Sequence, residues 1–435
     1  MSELLFASSR GAAPPVHLSE AIARGLAPDG GLYVPARLPA VDRDALAGAA
    51  GLPQIARAAL AGFFAGDRLR PLLGEIADAS LDVPAPTTLV EACPDPLFAL
   101  ELHHGPTAAF KDFGARFLAE SLQRLESGAS QPLTILVATS GDTGGAVAAA
   151  FHRRPWVRVV ILYPAGRVSP RQEQQLTCWG GNVSSLRVAG TFDDCQRLVK
   201  EAFGDAVLGR RHRFSSANSI NVGRLLPQMV YYAASSLEVE RRTHGEPSYI
   251  IPAGNLGNAC AAVWARALGF PIGRIILAHN VNRTVPDYLK TGEWRPRPSI
   301  GTIASAMDVG NPSNMERLRA RYPTLPEIRE QLSADSVDDA TIRARIGDDF
   351  MHYGREWCPH TATAAEVYGR LSGEERRARP WVLVATAHPA KFNEIVEPII
   401  GKKVTVPASL ERLLRLPQHA VNLPPTLEAL AAALG

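Results

Sequence analysis

Cysteine is scarce in this chain of 435 residues: five are present, at 93, 178, 195, 260 and 358, and no two form a C-x-x-C pair. An odd count without metal-ligand spacing argues against a disulfide-stapled secreted domain. It argues equally against structural zinc, so no metal is expected. Long apolar runs are missing, and no segment approaches the length that spans a bilayer. Met1 to Phe6 shows no basic segment leading into an apolar one, so no secretory signal is expected. A charge excess of one sign is also absent. The 46 Lys and Arg against 43 Asp and Glu leave a net charge of +3, too small to point to nucleic acid or a membrane surface. Repeats and low-complexity segments are lacking. What remains is a soluble, cytoplasmic protein, long enough for two or three domains.

Residues to about 85 are rich in Ala, Pro and Gly and read as short helices and turns with little chemistry. A composition shift at Asp82 to Pro86 marks a boundary. Beyond it the pattern alternates. Leu133–Ala138, Val157–Tyr163, Val183–Val188, Tyr249–Ile251, Arg274–Ala278 and Trp381–Ala385 read as strands. Helices are expected between them. One runs from Gly144 to His152. Another opens with Ser169 as N-cap, Pro170 in the first turn and Gln172 completing a capping box. A third is capped by Thr191 and runs to about Phe203. This alternation predicts an α/β protein with parallel sheets covered by helices on both faces. The charged stretch 315–350 reads as a solvated helical insertion.

Ligands of such sheets bind beyond the carboxyl ends of the strands. Three segments there carry chemistry. The first is His104-Gly-Pro-Thr-Ala-Ala-Phe-Lys-Asp-Phe113, which sets Lys111 among apolar residues at the start of a helix. Desolvation favours the neutral amine, the form that attacks a carbonyl, so the placement suits a Schiff-base lysine. For any single lysine, a packed stem with a solvated ammonium is the commoner arrangement. The second is Thr139-Ser140-Gly141-Asp142-Thr143-Gly144, which follows a strand and opens a helix. It reads equally as an anion site or as a tight turn with an Asp cap. The third is Gly254-Asn255-Leu256-Gly257-Asn258, where successive N–H groups can form a phosphate nest. It lacks both P-loop and dinucleotide spacing and is a weak signal alone. Together, a lysine, a phosphate cradle and a carboxylate-binding loop match pyridoxal 5'-phosphate with an amino-acid substrate.

These segments, in this order, resemble the threonine synthase family among the tryptophan-synthase-β-like (fold type II) pyridoxal-phosphate enzymes. The likeness extends over Asp29-Gly-Gly-Leu-Tyr-Val-Pro35, Gly105 to Asp112, Ser216-Ala-Asn-Ser-Ile-Asn221, Ala306 to Asn314, Pro359-His-Thr-Ala-Thr363 and Thr386-Ala-His-Pro-Ala-Lys-Phe392. It implies two parallel or mixed-sheet α/β subdomains with the cofactor between them, plus an N-terminal extension domain. The implied ranges are 1–85 for the extension and 86–435 for the catalytic part, whose smaller subdomain spans roughly 112–240. By the resemblance, Lys111 carries the cofactor, Gly254, Asn255, Leu256, Gly257 and Asn258 hold its phosphate, and Thr386 faces the pyridine nitrogen. Thr139, Ser140, Asp142 and Thr143 grip the substrate's carboxylate and amino side. Asn218, Ser219 and Arg224 lie near a substrate phosphate. The implied substrate is O-phospho-L-homoserine, which becomes L-threonine, in a monomer or homodimer.

The chain departs from the family pattern at Leu256, where Phe is more common, at Asn258, where many long forms have Asp, and at Ala108, which replaces Leu. None removes a required chemical group. A threonine dehydratase, a cysteate synthase, an inactive cofactor-binding homologue and a non-enzymatic phosphate-binding module are the alternatives. The long N-terminal segment disfavours the dehydratase. Four other features take ordinary readings: Lys391 as the start of a surface helix, the Arg210–Arg213 cluster as solvated surface, Asp308 as structural or catalytic, and His103 with His104 as pointing to opposite sides of an extended chain.

Overall fold

The β-branched runs become the inner strands of two separate sheets in the computed structural model, which describes residues 3–139 and 141–435. One sheet has five parallel strands in the order Val421–Leu423, Val183–Val188, Val157–Pro164, Leu133–Ala138 and Arg213–Ser216. Leu133–Ala138 is buried along its whole length, as expected of a central strand with helices on both faces. Its edge strand comes from the C-terminal end of the chain. The other sheet has six strands, ordered Ser333–Ser336, Ile275–His279, Ser248–Pro252, Trp381–Ala385, Leu97–Glu101 and Thr87–Leu89. All neighbours are parallel except the last pair.

The capping signals hold. Ser169 and Gln172 form a reciprocal capping box on the helix Pro170–Thr177, and Thr191 does so with Asp194 on Phe192–Gly204. The helix expected from Gly144 starts two residues earlier, at Asp142. The segment 315–350 departs further from expectation. It contains helices Met315–Arg321, Leu325–Gln331 and Asp339–Tyr353, but also the edge strand Ser333–Ser336. Its Arg317 is fully buried and donates to the carbonyls of Tyr33, Ser219 and Ile220. Charge was read as exposure, whereas three main-chain acceptors satisfy this guanidinium inside the protein.

The helix Lys111–Glu126 leaves the end of the six-stranded sheet and packs against Asp142–Phe151 and Val222–Thr243 beside the other sheet. N-terminal helices Leu18–Arg24, Gly51–Leu60 and Leu73–Ser80 pack on this same group. Phe63, Phe64, Phe117 and Leu225 share one core. None of the described helices is long and apolar enough to cross a membrane.

Candidate active site

The carboxyl ends of both sheets open onto one cleft. Lys111, Thr139, Asp142, Thr143, Asn218, Ser219, Arg224, Gly254 to Asn258 and Thr386 all line it. Ser140, the remaining expected residue, lies outside the described residues.

Lys111 is aimed by main-chain bonds rather than by side chains. The Phe110 N–H donates to the Thr386 carbonyl at 2.8 Å and the His388 N–H to the Ala108 carbonyl at 3.0 Å. An antiparallel bridge joins Ala109 to Ala387. The loop that delivers the lysine is thus tied to the loop that carries Thr386. Ala108 takes a left-handed conformation at φ +54°, a strain of about 1–2 kcal/mol for a residue with a Cβ. Burial lowers the Lys111 amine to about 8, although Asp142 pulls the other way. Near neutral pH a useful fraction is then the nucleophilic free base.

The glycine loop after Ser248–Pro252 runs into the helix Gly257–Ala267. Leu256 sits at φ +62° as its N-cap. A Cβ on Gly254 would lie 2.9 Å from Met307 Cα, so only glycine lets this loop pack on residues 306–309. The helix's first N–H groups have no partners within the helix, and they face the cleft. Not every cradle side chain does. The Asn258 Oδ1 accepts from the Tyr231 and Tyr232 hydroxyls at 2.6 and 2.9 Å, turned into the core. The Asn255 amide donates to Ser219 Oγ at 2.7 Å, which places Ser219 against this loop.

The Thr139–Gly144 turn is built differently from the expectation. Thr139 Oγ1 accepts from the N–H groups of Gly141 and Gly144 at 3.0 and 2.9 Å. Its hydroxyl holds the turn, at the wall of the cleft. Gly141 sits at φ +139°, a conformation that residues with a Cβ rarely adopt, and a Cβ there would also push aside the end of the Gln172 side chain. Asp142 is not free either. Lys391 Nζ lies 2.8 Å from its Oδ1, with the two side chains 1 % and 4 % exposed. Lys391 is therefore buried rather than opening a surface helix, and it also donates to the Thr107 carbonyl at 2.8 Å. Burial alone would raise the Asp142 carboxyl, but the Lys391 and Lys111 ammonium groups outweigh it and hold it far below the usual carboxylate range. Among the described residues of this loop, Thr143, half-buried, lines the cleft with its side chain available.

The Asp142–Lys391 pair supports a stability prediction. Lys391→Met should destabilise the protein by about 3–5 kcal/mol, because it leaves an unpaired buried carboxylate. The double variant Lys391→Met with Asp142→Asn should recover much of that loss. Because the folded carboxyl is depressed, the stabilisation exists above the unfolded value of about 4 and is lost only well below it. Urea unfolding midpoints check this. A single variant as stable as the parent would show that the pair is not buried.

Arg224 is 3 % exposed. It donates to the Ala217 carbonyl, while its Nε is buried without a partner. It has no carboxylate ion pair among the described residues. Gly114 makes the space, since a Cβ there would come within 2.8 Å of that Nε. Burial lowers the guanidinium to about 10, so it stays charged. Beside it, Asn218 donates to the Ala138 carbonyl at 3.2 Å and leaves its Oδ1 buried and unpaired.

Two further cleft residues enter from later segments. His360 is buried, with Nε2 accepting the Ala306 N–H at 3.1 Å, and burial pushes it down to about 4. Asp308 accepts from Thr302 Oγ1 and Asn280 at 2.7 Å each, and burial raises it to about 6. Those bonds fix the loop that backs Gly254. His360 lies in the Pro359–Thr363 segment that carries the family resemblance, at the start of the helix Pro359–Gly369, though no spacing of its own marks it as a site residue.

Comparison with known proteins agrees with this geometry. The family model for pyridoxal-phosphate dependent enzymes matches residues 83–387. Those for the threonine synthase N terminus and C-terminal segment match 5–80 and 361–434. Threonine synthase of Escherichia coli (strain K12) is 38% identical over 417 residues, 95% of each chain. The crystal structure of the Escherichia coli threonine synthase superposes with a TM-score of 0.88 at 36% identity, covering 99% of both chains. The structure of PLP-bound threonine synthase from Brucella melitensis superposes with a TM-score of 0.90 at 32% identity, again over 99% of both.

Proposed function

The chain belongs to the threonine synthase family of pyridoxal-phosphate enzymes, and from that premise we propose that it converts O-phospho-L-homoserine and water to L-threonine and phosphate, with the residue roles given below. Pyridoxal 5'-phosphate fits the cleft on three counts: a buried lysine of lowered basicity, a helix N-terminus whose glycines admit close approach, and a hydroxyl at Thr386 tied to the lysine's own loop. When bound, the cofactor supplies an electron sink for negative charge developing on substrate carbon.

Lys111 holds the cofactor and then moves the proton at substrate Cα, since its Nζ stays beside that atom. The N–H groups of residues 254–258 hold the cofactor phosphate, with Asn255 and Ser219 braced together behind them. Asn258 contributes its backbone, because its side chain serves the tyrosines. The Thr143 hydroxyl and the N–H groups of Asp142 and Thr143 bind the substrate carboxylate, since those of Gly141 and Gly144 are taken by Thr139. Asp142 keeps Lys391 and that turn in place instead of binding substrate, since a carboxylate would repel another carboxylate. Arg224 and Asn218 receive the leaving phosphate. Residues 1–85 buttress the helices that carry Lys111 and Arg224.

The observation that carries this reading is Arg224: a buried guanidinium without a carboxylate, in the same cleft as Lys111, calls for a second anion beyond the cofactor's. The test is phosphate release from O-phospho-L-homoserine with equal threonine formed. If phosphate is instead released from O-phospho-L-serine with sulfite, and not from O-phospho-L-homoserine with water, the enzyme is a cysteate-forming one and the proposal fails.

Thr386→Val should keep the cofactor bound but lower turnover by about 10-fold or more. It removes one hydrogen bond to a charged or polar ring atom at little change in volume. Steady-state rates and the visible spectrum check this. Parent-like values for both would mean that the pyridine nitrogen faces another group.

A further inference from the structure

At the end of the strand Leu97–Glu101, outside the lining of the cleft, Glu101, His103 and His104 come together. One donor atom from each lies within 4.8 Å of the others. The extended-chain reading had sent the two histidines to opposite sides. The strand ends at Glu101, however, and beyond it the rings lie with centroids 4.7 Å apart, tilted by 39°. We propose that Glu101, His103 and His104 form a binding site for one zinc-class divalent transition-metal ion.

The donors are arranged for it. Thr88 Oγ1 donates to Glu101 Oε1 at 2.8 Å, and Arg355 stands 3.7 Å from the same oxygen. Oε2 is thereby turned to His104, whose Nε2 lies at 2.9 Å. A carboxylate oriented in this way by outer partners is the usual support of a metal ligand. His103 Nδ1 is buried and has no hydrogen-bond partner, so a ring nitrogen is left for coordination. Two imidazole nitrogens with one carboxylate oxygen suit zinc and its neighbours rather than magnesium or calcium. Zinc–ligand bonds of about 2.0–2.1 Å set donors roughly 3.4 Å apart, so the 2.9 Å Glu101–His104 pair opens slightly while separations of up to 4.8 Å close. Exposed His104 can swing to supply that movement, and the fourth position opens to water. His388, two residues beyond Thr386, packs edge-on against His103 at 5.1 Å. A bound ion therefore staples the end of the strand to the start of the loop that delivers Lys111.

The experiment uses chelator-stripped, cofactor-loaded protein without substrate, so its outcome does not depend on the proposed reaction. Zinc chloride is titrated against a chromogenic zinc chelator. The parent should take up about one equivalent, and its melting temperature should rise with zinc. H104A, at an exposed position, and E101Q should each bind at least ~10-fold more weakly, with the zinc-dependent rise lost. Parent protein that takes up no zinc overturns the proposal. So does unchanged uptake by H104A, which would put the ion on other donors such as the thiols.

Discussion

Lys111→Ala should cut threonine formation by on the order of 10⁴-fold, the upper end of what one positioned proton-transfer group contributes, while the fold remains. Two losses coincide. The covalent hold on the cofactor disappears, and so does the amine beside substrate Cα. The fold should survive because the loop around Lys111 is held by main-chain bonds from Phe110 and His388 to Thr386 and Ala108, none of which involves the lysine side chain. The side chain is buried, and no ion pair to it is present among the described residues. Its attraction to Asp142 is lost, but Asp142 keeps its direct pair with Lys391, so removing this desolvated amine should cost little stability. Borohydride treatment should fix cofactor to the parent and not to the variant, and a thermal melt checks folding. Threonine formation near the parent rate would remove Lys111 from the chemistry.

Arg224→Met should lower kcat/KM for O-phospho-L-homoserine by about 2–5 kcal/mol, roughly 30-fold to a few thousand-fold. The physical reason is the missing counter-charge. A guanidinium 3 % exposed, with a buried Nε lacking a partner, is complete only when an anion arrives, and arginine can offer a phosphate two parallel hydrogen bonds. The missing direct counter-charge also sets the sign of the stability effect. Replacing a buried charge that has no direct ion pair, only the distant attraction of Asp112, with an apolar side chain of similar length is commonly neutral or stabilising, so the substrate-free variant should melt at or above the parent. Cofactor absorbance should be retained, because the 254–258 loop is untouched. Kinetics within a few-fold of the parent would leave the leaving phosphate without its anchor. A sharp fall in melting temperature would mean that Arg224 holds the fold together.

Much of this molecule was legible along the chain. Runs such as Val157–Pro164 are β-branched and apolar, and a strand covered on both faces needs little else to declare itself. Ser169 with Gln172 and Thr191 with Asp194 cap their own helices through groups three residues apart, an entirely local interaction. Glycines at 141 and 254 mark the turn and the close approach that the structure contains. Lys111 among apolar neighbours at a helix start foretold its burial. The misreadings share one cause. Lys391 after a His-Pro pair and Arg317 in a charged stretch each have sequence neighbours that suggest exposure. Their actual partners come from distant segments: Asp142 and Thr107 for Lys391, and the carbonyls of Tyr33, Ser219 and Ile220 for Arg317.

The sequence by itself therefore determined the α/β class, the strands and caps, and the order of segments that assembles a pyridoxal-phosphate cleft, because each of these depends on a residue's immediate neighbours and on periodicity. Only the tertiary structure decided which charges are paired and which are waiting. Asp142 is spoken for by Lys391, Arg224 is left without an acid, and two adjacent histidines turn toward one glutamate. Those outcomes depend on burial and on separations of a few ångströms between segments far apart in the chain, and Coulomb energies in a desolvated interior are set by such distances rather than by any local pattern of residue types.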